Sequence, residues 1–237
     1  MPCLADGSDS PQTSFFRANA QYAEGKYGEA IRGYEDVVSA GYDGGNLRFN
    51  LGNAYFKAGD VGRAILNYER ADSWIPADPD VEANLTYARS LTGAEPCIVP
   101  TWATLVFPLS TRMSTWTLGL LSSALLTLFL VGIAVRRLLP RPGRALLYSA
   151  LACLLLLAVS ASSMAYRAVS VELPRFAVVI AEGKSSVRFE PAADGTSHYV
   201  APQGARLRIN DTREGWAQVA RCDGRRGWIE TQVIEEL

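Results

Sequence analysis

The chain has 237 residues, 49% hydrophobic and 20% charged, with a formal net charge of −1 at pH 7. That balance lacks the basic face that nucleic-acid binding requires, and four cysteines beside one histidine offer no zinc-ligand spacing. The charge is unevenly placed: residues 1–100 hold eight basic and fourteen acidic side chains, 101–175 seven and one, and 176–237 eight and nine.

Residues 1–10 read as a disordered tail. The opening stretch "MPCLADGSDSPQTSFF" lacks the apolar core of a signal peptide. A start upstream of Met1 is therefore expected. Residues 11–93 then repeat. "ANAQYAEGKYGEAIRGYEDVV" (Ala18 to Val38) aligns with "GNAYFKAGDVGRAILNYERAD" (Gly52 to Asp72) at an offset of 34, pairing Asn19 with Asn53, Gly25 with Gly59, Ala30 with Ala64 and Tyr34 with Tyr68. A 34-residue period belongs to two antiparallel helices per unit, and the second copy resembles the tetratricopeptide consensus at Leu51, Gly52, Tyr55, Gly59, Ala64, Tyr68, Ala71 and Pro76. "PDVEANLTYARSL" (Pro79 to Leu91) begins with proline at a helix start and reads as a capping helix. About three such units are usually needed for independent stability, so this short array is expected to lean on a partner or on the membrane. By resemblance, the groove positions of such repeats include Asn19, Tyr22, Asn50, Asn53 and Asn84. The variant that clamps a C-terminal carboxylate needs basic residues where this chain has Phe15, Asp80 and Asn84.

Residues 94–115 read as a linker descending onto a lipid surface, with Trp102 and Phe107 at the headgroups. Two charge-free runs follow, Trp116 to Val135 and Ala145 to Tyr166, of 20 and 22 residues. At ~1.5 Å per residue each spans the core of a bilayer. The connection between them, residues 136–144, carries Arg136, Arg137, Arg141 and Arg144 and no acid. Nine residues with Pro140, Pro142 and Gly143 permit only an antiparallel hairpin. Short arginine-rich loops stay cytoplasmic, so both termini are expected outside, in a bacterial periplasm. Neither run carries an ionisable pathway residue. Cys153, inside the second run, reads as a small buried hydrophobe. Cys3, Cys97 and Cys222 could oxidise outside the cytoplasm, with no pairing assigned by spacing.

After a linker at 167–175, residues 176–237 change to short alternating runs broken by turns, the pattern of a small all-β barrel. "CDGRRGWI" (Cys222 to Ile229) holds the Asp-Gly of a hairpin turn. Together "SVRFEP", "QGARLRI", "GWAQV" and "GRRGWIETQVIEEL" resemble a bacterial SH3 domain. Its candidate surface aromatics are Phe189, Tyr199, Trp216 and Trp228.

The expected architecture is thus multidomain: an all-α tetratricopeptide solenoid, a two-helix transmembrane hairpin and a small all-β SH3-like barrel. That order of parts resembles the tetratricopeptide-containing members of the Bacteroides aerotolerance (Bat) proteins across nearly all of residues 15–237. The resemblance implies a scaffold at the inner membrane, with membrane-anchored von Willebrand A-domain proteins as partners and a MoxR-type ATPase as an indirect one. The alternative is a membrane-tethered module that binds peptidoglycan through the SH3-like domain. No Gly-rich phosphate loop, GxSxG or metal motif occurs, and His198 has no nucleophile motif around it. Neither catalysis, a cofactor nor a metal is therefore expected.

Overall fold

The computed structural model describes residues 10–96, 107, 113, 115–138, 144–169 and 174–237. The expected tail, Trp102 and most of its linker, Cys3, Cys97, the turn at 139–143 and the linker at 170–173 lie outside the described residues. The chain divides into two compact units: the helices before residue 98 together with the sheet from Arg175 onward, and residues 98–174.

Five helices open the first unit: α1 (Pro11–Ala23), α2 (Tyr27–Ser39), α3 (Gly45–Ala58), α4 (Val61–Trp74) and α5 (Pro79–Thr92). Their starts at 11, 45 and 79, and at 27 and 61, keep the 34-residue interval. Local chemistry sets these boundaries. The Ser10 hydroxyl accepts from the Thr13 N–H ahead of Pro11, and the Asp78 carboxylate accepts from Asp80 and Val81 ahead of Pro79. Gly59 closes α3 at φ +90°, a conformation that only glycine adopts freely. Small residues bring the helices together: a Cβ on Gly52 would stand 2.7 Å from the Tyr68 ring. Ala18, Ala30, Tyr34, Leu51 and Ala54 fill the first core layer, and Ala64, Ile65, Tyr68, Leu85 and Ala88 the next.

Seven strands follow: β1 (Arg175–Val179), β2 (Lys184–Arg188), β3 (Ser197–Pro202), β4 (Arg206–Arg213), β5 (Trp216–Ala220), β6 (Arg226–Glu230) and β7 (Ile234–Glu236). They pair in the order β3-β2-β6-β5-β4-β1-β7, antiparallel throughout. The expected closed barrel is not formed. The end strands β3 and β7 do not pair with each other, so the sheet keeps two edges. Alternation places Ala177, Val179, Val187, Leu207, Ile209, Ala217, Val219 and Ile229 on one buried face. Asp223-Gly224 does sit in the β5–β6 turn, with Gly224 at φ +89°.

Helices and sheet share a core. Val178 of β1 is fully buried in one cluster with Ile65, Leu66, Leu85 and Ala88, and Ile180 packs beside it. The Pro202-Gln203-Gly204 turn presses against α4, where a Cβ on Gly204 would stand 2.2 Å from Ile65 Cδ1. On the helix side, a Cβ on Gly62 would stand 2.6 Å from the Ile180 carbonyl oxygen. The chain's own C-terminal segment thus packs on this short array. α5 starts the third unit of the 34-residue series, and Val178 of the sheet packs against both α4 and α5.

The other unit holds α6 (Thr115–Leu138) and α7 (Arg144–Arg167), which pack on each other and extend one to three residues beyond the charge-free runs. Ser122 and Ser160 share a hydrogen bond of 2.8 Å, Ser160 also donates to the Leu118 carbonyl at 3.3 Å, and the Cys153 thiol donates to the Leu125 carbonyl at 3.1 Å. Ser160 and Ser163 are fully buried between the helices. Leu120, Leu128, Leu130, Leu154 and Leu155 are all exposed outward, where a water-soluble core hairpin would have buried them. Both helices are long and apolar enough to cross a membrane.

Candidate functional site: an amide ladder between the first helices

The expected groove asparagines come together, but mostly on one another. Tyr34 donates its hydroxyl hydrogen to Asn19 Oδ1 at 2.6 Å, and Asn50 Nδ2 donates to the same oxygen at 3.1 Å. One repeat later the pattern recurs: Tyr68 donates to Asn53 Oδ1 at 2.8 Å and Asn84 Nδ2 donates to it at 2.9 Å. Burial pushes the Tyr34 hydroxyl up to about 12, with Tyr22 adding to the rise, and burial pushes Tyr68 up as well. Both phenols therefore stay protonated donors at any physiological pH.

The carbonyls of Asn19 and Asn53 are thereby saturated with two donors each. What remains for a ligand is the Nδ2 of Asn19 and Asn53 and the Oδ1 of Asn50 and Asn84, an alternating row of donors and acceptors across α1, α3 and α5. Tyr22 is half-buried against Tyr27 and the first core layer, and it serves packing before recognition.

The 34-residue equivalence exposes two residues that sequence reasoning missed. Phe16 occupies on α1 the position of Asn50 and Asn84, and Tyr87 occupies on α5 the position of Asn19 and Asn53. Phe16 is 68% exposed and Tyr87 58%, so an aromatic ring stands at each end of the ladder. Tyr87 lies 5.8 Å from Phe56 and borders a shallow depression on α5 with Pro79, Glu82, Ala83, Thr86 and Ser90. Reading the period for its departures as well as its matches would have found both.

Asn53→Ala tests how much of the ladder is structural. It leaves the buried Tyr68 hydroxyl and the Asn84 amide without their acceptor and should cost about 1–3 kcal/mol. Asn84→Ala keeps the Tyr68 bond and should cost less than half as much in the same urea titration. Equal losses would mean that the two carbonyl bonds do not carry the second repeat.

The four expected aromatics of the sheet divide. Tyr199 and Trp228 are only 7% and 8% exposed and belong to the packing rather than to a surface. Trp216 is half-buried, with the Arg188 guanidinium 5.8 Å from its ring centre, and Arg213 stands 5.6 Å from that of Trp228. Phe189 is 60% exposed and contacts His198 at 4.2 Å. In comparisons with known proteins, no family model and no curated protein matches the chain.

The polar link between helices and sheet centres on Glu69, whose side chain is 5% exposed. Its Oε1 accepts from Arg89 of α5 and its Oε2 accepts from Arg206 of β4 at 3.0 Å. The Arg206 guanidinium also lies 4.2 Å from the centre of the Phe176 ring. Arg70 adds an ion pair to Glu235 at 3.3 Å. One carboxylate thus ties α4, α5 and β4 together.

Proposed function

We propose that the protein is a non-catalytic scaffold of a bacterial inner membrane, holding protein partners in the groove of its tetratricopeptide-type helices. The observation that carries this is the amide ladder: a row of unspent donors and acceptors, flanked by two exposed aromatic rings, suits an extended peptide segment. Peptide backbone offers alternating N–H and C=O groups to such a row, and exposed aromatics supply anchors.

The docked unit supports the two-pass arrangement. Segments before residue 98 and after 174 that share a core must lie on one side of any membrane, which requires an even number of crossings between them. Two helices of sufficient length and apolarity provide that number. The arginines of residues 136–144 favour a cytoplasmic loop, and Cys222 is disulfide-bonded, as befits a compartment outside the cytoplasm. By the resemblance to the aerotolerance proteins, the partners proposed are membrane-anchored von Willebrand A-domain proteins, with a MoxR-type ATPase acting through them. Binding of peptidoglycan by the SH3-like sheet would have to rest on Phe189 and Trp216, since the other two aromatics are packed away.

The test is Phe16→Ala combined with Tyr87→Ala in the full chain. Both rings are exposed, so circular dichroism should be unchanged, while co-purification of A-domain partners from detergent-solubilised membranes should fall about tenfold or more. Undiminished capture would remove the groove from the recognition surface.

A further inference from the structure

We propose that the groove selects an uncharged extended segment with two apolar side chains six positions apart, one seated on Phe16 and the other on Tyr87. This rests on the reading of the groove as a peptide site and gives that peptide a length and a charge. The two exposed rings close the ladder at its ends, Phe16 on α1 and Tyr87 on α5, with α3 between them. Packed neighbouring helices lie about 8–10 Å apart. The amide bonds from Asn50 to Asn19 and from Asn84 to Asn53 make α1, α3 and α5 such neighbours. Two steps therefore set the rings about 16–20 Å apart.

That span fits one separation in an extended chain. A β-strand returns a side chain to the same face every second residue at about 3.3 Å each, and a polyproline II segment every third residue at about 3.1 Å. Six positions is the shortest separation that satisfies both periods, and it covers about 19–20 Å. Each junction between helices also presents one unspent N–H, from Asn19 or Asn53, beside one unspent carbonyl, from Asn50 or Asn84. These two couples take backbone groups of the residues between the anchors. The charge follows from the same face. Four amides and two rings occupy its centre, and one helical turn beyond, positions 12, 46, 80, 23, 57 and 91 add only Asp80 and Lys57 as charges. A charged side chain aimed at the amides would lose water without gaining a counter-ion.

Peptide binding by the full chain in detergent tests this, read by fluorescence anisotropy. The probes are fluorescein-labelled peptides of serine and alanine carrying two leucines two, six or ten positions apart. A fourth probe is the six-position peptide with glutamate midway between its leucines. The six-position peptide should bind about tenfold or more tighter than either other spacing, the factor set by one leucine left unseated. The glutamate should cost a similar factor. On Phe16→Ala, with unchanged circular dichroism, the three spacings should bind alike, because one anchor point remains. Equal affinities at all three spacings on the natural chain, or a preference for two or ten, would overturn the proposal and leave the groove as a peptide site. So would a six-position preference that survives Phe16→Ala, or undiminished binding of the glutamate peptide. No binding at any spacing would contradict the groove as a peptide site, and the length with it.

Discussion

Glu69→Ala should destabilise the unit of helices and sheet by about 3–5 kcal/mol, because it strips the shared counter-charge from two largely buried guanidiniums. The partners differ in what their removal leaves behind. Arg206→Ala takes away one cation and leaves Glu69 still paired with Arg89, so its cost should be clearly smaller. Urea unfolding of the full chain in detergent, followed by tryptophan fluorescence, measures both. The sheet contributes Trp216 and Trp228 as reporters, and the helices contribute Trp74. A Glu69→Ala cost below about 1 kcal/mol would mean that this buried carboxylate does not hold the sheet on the helices.

Two glycine-to-alanine changes should have opposite signs. Inside a helix, alanine ordinarily gains about 0.5–1 kcal/mol over glycine. Gly28→Ala should approach that gain, because a Cβ there would meet only the tip of Arg32 at 4.0 Å. Gly62→Ala should instead lose about 1–3 kcal/mol, because its Cβ would stand 2.6 Å from the Ile180 carbonyl oxygen and 2.8 Å from the Ile180 Cα. Those are backbone atoms of the residue just past β1 and cannot swing aside as a flexible side chain could. The same urea titration reads both. A stabilising Gly62→Ala would show that α4 does not touch the sheet in solution.

Gly62 also illustrates what a single sequence conceals. The 34-residue period and the proline that opens α5 are local signals, set by neighbours in the chain, and the helix starts keep both. The two apolar runs are equally local. Docking of the sheet onto α4 joins Glu69 to Arg206 and Gly62 to Ile180, residues more than a hundred positions apart. No periodicity records such a contact. Glu69 looks in sequence like one more acid on a helix of an acidic segment, and only its burial reveals it as a tie point. The barrel expectation failed for a related reason: strand alternation tells which side chains are buried, not whether β3 and β7 meet.

The groove divided along the same line. Asn19, Asn50, Asn53 and Asn84 were legible as a set because the repeat carries them. Their hydrogen bonds to Tyr34, Tyr68 and each other depend on how the helices stack. Phe16 and Tyr87 were overlooked because a repeat is read for its matches, and both are departures from it.

We propose that helices and sheet, which share one core, lie outside the cytoplasm and that α6 and α7 cross the membrane between them. This arrangement is tested most directly by labelling single introduced cysteines with a membrane-impermeant maleimide in intact spheroplasts, in a chain whose own free thiols have been replaced by serine. Exposed positions are available on both segments, Ser73 on α4 and Thr212 on β4, and residues 138–143 sample the arginine loop. The account predicts that Ser73→Cys and Thr212→Cys label from outside, while the loop cysteine labels only after the membrane is opened. Labelling of Ser73→Cys and Thr212→Cys from opposite sides, or of the loop from outside, would contradict it.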